Sequence, residues 1–137
     1  MRIGALLGSL TIPGRPEYVR AARKFVAGKL GAGCAYAETV ALLTSELVTN
    51  SAVHSDSCRN GGTITITLIA IPGGIRAEVL DDGSASVPSV LPGSRLPDLS
   101  EGGRGLQLVA TLSTRWNYWR DEAGTVTWFE LLTEPPP

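Results

Sequence analysis

The chain has 137 residues, a length that accommodates one domain with a single two-layer core. Its 12 Lys and Arg against 13 Asp and Glu leave a formal charge of -1, and with no run of cations there is no electrostatic reason to expect nucleic acid or a membrane surface as the main partner. One histidine, His54, and two cysteines, Cys34 and Cys58, cannot build a zinc site of three or four Cys/His ligands without borrowing carboxylates.

Met1-Arg2 and the apolar stretch from Ile3 to Ile12 resemble the start of an export signal, but Gly4, Gly8, Ser9 and Thr11 interrupt it and no small-residue cleavage site follows. No stretch approaches the ~20 apolar residues of a membrane span. The expected compartment is therefore the cytosol, with both cysteines reduced. Ala5 to Ile12 reads instead as a strand closed by the turn Pro13-Gly14. Pro16 suits the first turn of a helix on which Val19, Ala22, Val26 and Leu30 recur at three- and four-residue spacing, and Gly31 and Gly33 stop it. A second helix is expected from Ala35 to Ser55, with Val40, Leu43 and Leu47 on its core stripe.

After Gly61-Gly62 the period changes from 3.6 to 2. Ile64, Ile66 and Leu68 alternate with Thr63, Thr65 and Thr67; Pro72-Gly73-Gly74 turns the chain, and Ile75, Ala77 and Val79 alternate with Arg76 and Glu78. This is a hairpin with one apolar face. Residues 84–102 show no period, and Pro88, Pro92 and Pro97 break any element that starts there, as in a lid or a linker. A short helix fits Leu106 to Leu112, followed by strands near Arg115 to Arg120 and Thr125 to Leu132, then a tail over 133–137. The predicted whole is one domain over 1–137: an α+β two-layer sandwich with helices on one face of a mixed, mostly antiparallel sheet.

Three groups of residues could do chemistry. Glu46, Asn50 and His54 lie at i, i+4 and i+8 of the second helix, and at about 100° per residue each step of four turns only ~40°, so they form one row beside Leu43 and Leu47. An acid, an amide and an imidazole on a half-buried face need partners, which a ligand or a polar network under a loop could equally supply. Asp81 follows the alternation of Ile75, Ala77 and Val79 onto the apolar face, where a carboxylate is costly unless it accepts hydrogen bonds. The exocyclic amine of a base is one such donor, and Gly83 would let a ring approach the backbone; a surface Asp-Gly turn is the plainer alternative. Glu101-Gly102-Gly103-Arg104-Gly105-Leu106 belongs to a bias in which nine of the 16 glycines fall between Gly61 and Gly105. Free amides and the positive end of a helix dipole suit phosphate, and a flexible hinge is the competing reading. No lysine follows Lys29, which excludes a Walker-type loop, and neither a complete dinucleotide fingerprint nor a Gly-x-Ser-x-Gly elbow is present.

The order of these pieces is more specific than any one. Glu46-Leu-Val-Thr-Asn50-Ser-Ala-Val-His54, then Asp81-Asp-Gly83, then a Pro/Gly-rich loop, then Gly103-Arg-Gly105-Leu-Gln-Leu-Val109 resembles the motif order of the GHKL (Bergerat) ATP-binding fold. With the ending Trp128-Phe-Glu-Leu131, the wording is similar to the small stand-alone anti-sigma-factor serine kinases, and the likeness covers nearly the whole chain. The resemblance implies ATP and Mg2+ as cofactors, with Glu46 as catalytic carboxylate, Asn50 as the amide completing the Mg2+ shell, Asp81 as adenine reader and Gly83 beneath the ring. It further implies that Gly103 and Gly105 give amides to the phosphates, that Arg104 neutralises their charge, and that Leu106 and His54 belong to the same site; it assigns His54 no derived role. A family threonine near the adenine could be Thr125 or Thr127, and Thr127 is the expected one. Trp116-Asn117 stands where the family often has Trp-Gly. The implied partners are a sigma factor or similar regulator and an antagonist protein phosphorylated on serine, with a homodimer as assembly and no direct nucleic acid or membrane. The alternative is a non-catalytic ATP-dependent switch on the same fold.

Overall fold

A five-stranded sheet carries three helices on one face in the computed structural model, which describes residues 4–55, 61–83 and 103–132. The expected lid over 84–102, the tail over 133–137 and Cys58 lie outside those residues, as do the side chains of His54 and Arg104. In chain order the elements are β1 (Ala5–Pro13), a 3-10 turn (Pro16–Tyr18), α1 (Val19–Leu30), α2 (Ala37–His54), β2 (Thr63–Ile71), β3 (Gly74–Asp81), α3 (Gly103–Leu112), β4 (Arg115–Asp121) and β5 (Gly124–Leu132). The sheet order is β1-β2-β3-β5-β4.

All four pairings are antiparallel, so the expected mixed sheet narrows to an antiparallel one. The cause lies at its far end. β4 takes the edge, and the two-residue turn Glu122-Ala123 returns β5 to the interior, antiparallel to both β4 and β3. α3 also starts earlier than its apolar period predicts, at Gly103 rather than Leu106. Each glycine lowers helix propensity by roughly 1 kcal/mol, so tertiary packing decides the start of the helix here.

The alternation of β2 and β3 sets the core. Ile64, Ile66 and Leu68 are fully buried, Ile75, Ala77 and Val79 nearly so, and Phe129 on β5 pairs directly with Ala77. Helical residues Val26, Val40, Leu43, Leu47, Val48, Leu106 and Val109 close over that face. Full burial stabilises each large apolar side chain by roughly 1.5–3 kcal/mol relative to exposure. The opposite face is polar at its centre: Arg76 donates to Glu78 and Glu130 at 2.8 and 2.9 Å and lies 3.9 Å over the Trp128 ring, while Arg115 also pairs with Glu130. α2 packs against both α1 and α3, which makes it the helix at which later elements can converge.

Candidate functional site

α2 supplies the first side chains. Glu46 and Asn50 are half-buried on it, as a row flanking the apolar stripe requires; His54 closes the helix. Val40, Leu43 and Leu47 on the adjacent stripe are buried, which fixes the rotation of the helix. The next position on that stripe is Ser51, only 6% exposed.

Asp81 ends β3 on the core side, in line with Ile75, Ala77 and Val79, and is 8% exposed. The Ser51 hydroxyl donates to its Oδ2 at 2.6 Å, and the Gly83 amide donates to its Oδ1 at 2.7 Å. A carboxylate offers about four acceptor sites, so two donors leave acceptor capacity for a ligand N–H. Burial pushes the Asp81 carboxyl above the usual carboxylate range; the bonds from Ser51 and Gly83 and the charge of Arg120 oppose that rise, and Asp82 adds to it.

β5 runs beside β3 so that Thr125 stands opposite Asp81 and Thr127 opposite Val79. Both threonines are buried, at 4% and 7% exposure. Thr125 Oγ1 lies 3.7 Å from the position a Cβ on Gly83 would take. Of the two candidate threonines, Thr125 is therefore the one beside the Asp81-Gly83 corner. Thr127, the expected one, lies two residue pairs further along the strand, opposite Val79.

α3 brings the third motif to the first. A Cβ on Gly105 would sit 3.1 Å from Glu46 Oε1 and 3.3 Å from Glu46 Cβ. The absence of a side chain at Gly105 thus lets the start of α3 close on α2 at the candidate carboxylate. Gly103 and Arg104 occupy the first two positions of that helix. Leu106, expected at the ligand, belongs to the hydrophobic core, where it anchors α3. The structure thereby joins Glu46, midway along α2, to Gly105, and Asp81 to Ser51, Gly83 and Thr125, across four elements. A separate concavity between α1 and α2, lined among others by Arg23, Lys24, Cys34 and Glu38, contains none of these residues.

Two residues at this corner escaped the sequence reading. Ser51 carried a usable signal: it follows Leu47 by four, so a hydroxyl falls on a buried stripe while Asp81 faces inward from the sheet. Gly124 carried none, because only the β3–β5 register shows that a Cβ there would overlap the Asp81 carbonyl oxygen.

The family described as the histidine kinase-like ATPase domain matches residues 12–131. Serine-protein kinase RsbW of Listeria monocytogenes serotype 4a is 26% identical over 137 residues, covering 92% of this chain and 87% of that protein, and RsbW of serovar 1/2a matches to the same extent. The histidine kinase domain of the blue-light activated histidine kinase EL346 of Erythrobacter litoralis has a similar fold, with a TM-score of 0.55 at 24% identity over 89% of this chain. A second structure of that kinase gives 0.56 at the same identity. This chain spans 62% of the first structure and 42% of the second.

Proposed function

Because the chain belongs to the histidine kinase-like ATPase domain family, we propose that it is a cytosolic ATP-dependent serine kinase of the anti-sigma type. On this reading it captures a sigma factor or similar regulator and phosphorylates a serine of an antagonist protein. The 26% identity to serine-protein kinase RsbW supports the substrate class. The observation that carries the reading is the approach of Gly105 to Glu46, which brings a helix start suited to phosphate against a half-buried carboxylate.

Each residue then has a task. Asp81 accepts from the exocyclic amine of adenine with the acceptor capacity that Ser51 and Gly83 leave over. Thr125 flanks the same corner. Amides at the start of α3 would donate to the phosphates, and the likeness to the family assigns Arg104 the neutralisation of their charge. Asn50 would offer one side-chain oxygen to Mg2+, for which a single protein oxygen beside a bound nucleotide is enough. When bound, that ion neutralises charge developing on the phosphates. Glu46 orients a seryl hydroxyl and removes its proton as the new O–P bond forms at the γ-phosphate and ADP departs.

Glu46 also discriminates the kinase from an ATP-dependent switch, since nucleotide binding alone needs no carboxylate there. Glu46→Ala should bind ATP within about threefold of the parent and transfer phosphate to a captured antagonist about 100-fold or more slower. Calorimetry and radiolabelled γ-phosphate transfer measure the two quantities. Equal transfer rates would remove Glu46 as base, and ATP-dependent capture with no transfer by the parent would establish the switch instead.

A further inference from the structure

We propose that Ser51 is the positioning residue of the adenine reader: its hydroxyl crosses from α2 to β3 and fixes the Asp81 carboxylate in the orientation that selects adenine over guanine. This rests on the ATP-binding reading above and adds the residue on which base selectivity depends.

The behaviour of the neighbouring hydroxyls carries the inference. A serine or threonine within a helix ordinarily folds back onto a carbonyl three or four residues earlier. Ser45 does so onto the Leu42 carbonyl at 2.8 Å and Thr49 onto that of Ser45 at 2.8 Å, and the C-cap Ser55 just beyond the helix bonds the Ser51 carbonyl at 2.6 Å. Ser51 leaves the helix instead. Its Oγ donates to Asp81 Oδ2 at 2.6 Å, across 30 positions of sequence and between two buried residues.

The geometry of the pair gives that bond a consequence. The Gly83 amide holds Oδ1 and the Ser51 hydroxyl holds Oδ2, so both oxygens have a fixed donor and rotation about the Cβ–Cγ bond would break both bonds. A short O–H···O⁻ bond also favours the ionised form, which accepts only. Asp82 and Arg120 are the charged groups that act on the same carboxylate, with opposite signs. An ionised carboxylate held in this way accepts the 6-amino group of adenine and repels the 6-oxo group of guanine. Without Ser51 the carboxylate retains one anchor and one desolvated oxygen, the condition under which it turns or takes up a proton.

The test is calorimetric titration of the full chain with Mg-ATP and with Mg-GTP. Ser51→Ala should lower the ATP-to-GTP affinity ratio about tenfold or more, with most of the change on ATP, because a bond to a charged group is lost. Ser51→Thr, which keeps the hydroxyl, should restore the ratio. In an Asp81→Asn background, Ser51→Ala should cause no further loss of the ratio, since the carboxylate it positions is already gone. An unchanged ratio in Ser51→Ala, or an equal loss for both nucleotides, overturns the proposal. A parent that prefers ATP, loses that preference in Asp81→Asn and keeps it in Ser51→Ala sinks the Ser51 role alone. A parent that binds no ATP overturns the underlying reading as well.

Discussion

Asp81 works against the fold that holds it. Burial raises its carboxyl above the usual carboxylate range despite two hydrogen bonds and the charge of Arg120. The folded state therefore retains a proton that the unfolded chain has already released, and stability falls as the pH rises from the ordinary carboxylate range through the raised value. Asp81→Asn removes the charge while its amide can still accept from Gly83 and donate to the Ser51 hydroxyl. It should therefore melt above the parent at neutral pH, with the gap closing as the pH is lowered and Asp81 becomes neutral. Thermal unfolding across a pH series checks this, and a gap that widens on acidification would contradict it. On the proposed function the same variant should also lose adenine preference, so that stability and nucleotide selectivity move in opposite directions.

At the scale of elements, period and turn chemistry made most of the architecture readable. The hairpin was legible because Thr/Ile alternation and Pro72-Gly73-Gly74 agree on its two arms, and α2 because its apolar stripe ran long enough to orient the polar row. Period says nothing, however, about which strands become neighbours. The placement of β5 between β3 and β4 is a tertiary fact, and with it came the opposition of Thr125 to Asp81 and the contact of Gly124 with the β3 backbone. Gly124 has φ of +146°, and a Cβ there would meet the Asp81 carbonyl oxygen. Gly124→Ala should thus destabilise the fold by about 2 kcal/mol or more, through strain and displacement of the β3 end. Denaturant unfolding should show a lower midpoint at an unchanged slope, and a midpoint equal to that of the parent would mean that the turn has another route.

At the scale of the molecule, the proposed site belongs to no single element. Glu46 and Asn50 come from α2, Asp81 from β3, Gly105 from α3 and Thr125 from β5, and no helix among the described residues is long and apolar enough to cross a membrane. A ligand touching all four elements ties the helix layer to the sheet and binds only the folded state, so its binding free energy appears as folding stability. At a concentration 100 times its Kd, Mg-ATP should add about 2.7 kcal/mol, which for a chain of this size raises the melting temperature by about 10 °C. Asn50→Ala should lose the part of this shift that depends on magnesium while keeping the unliganded melting temperature within a few degrees, because Asn50 is half-buried and outside the apolar core. Glu46→Ala should keep the shift, since its proposed task begins only after nucleotide is bound. Melting curves of the three proteins with ATP, with magnesium and with both separate these cases. A magnesium-dependent shift as large in Asn50→Ala as in the parent would move the ion to other oxygens, and loss of the shift in Glu46→Ala would make that carboxylate part of the binding site instead of the base.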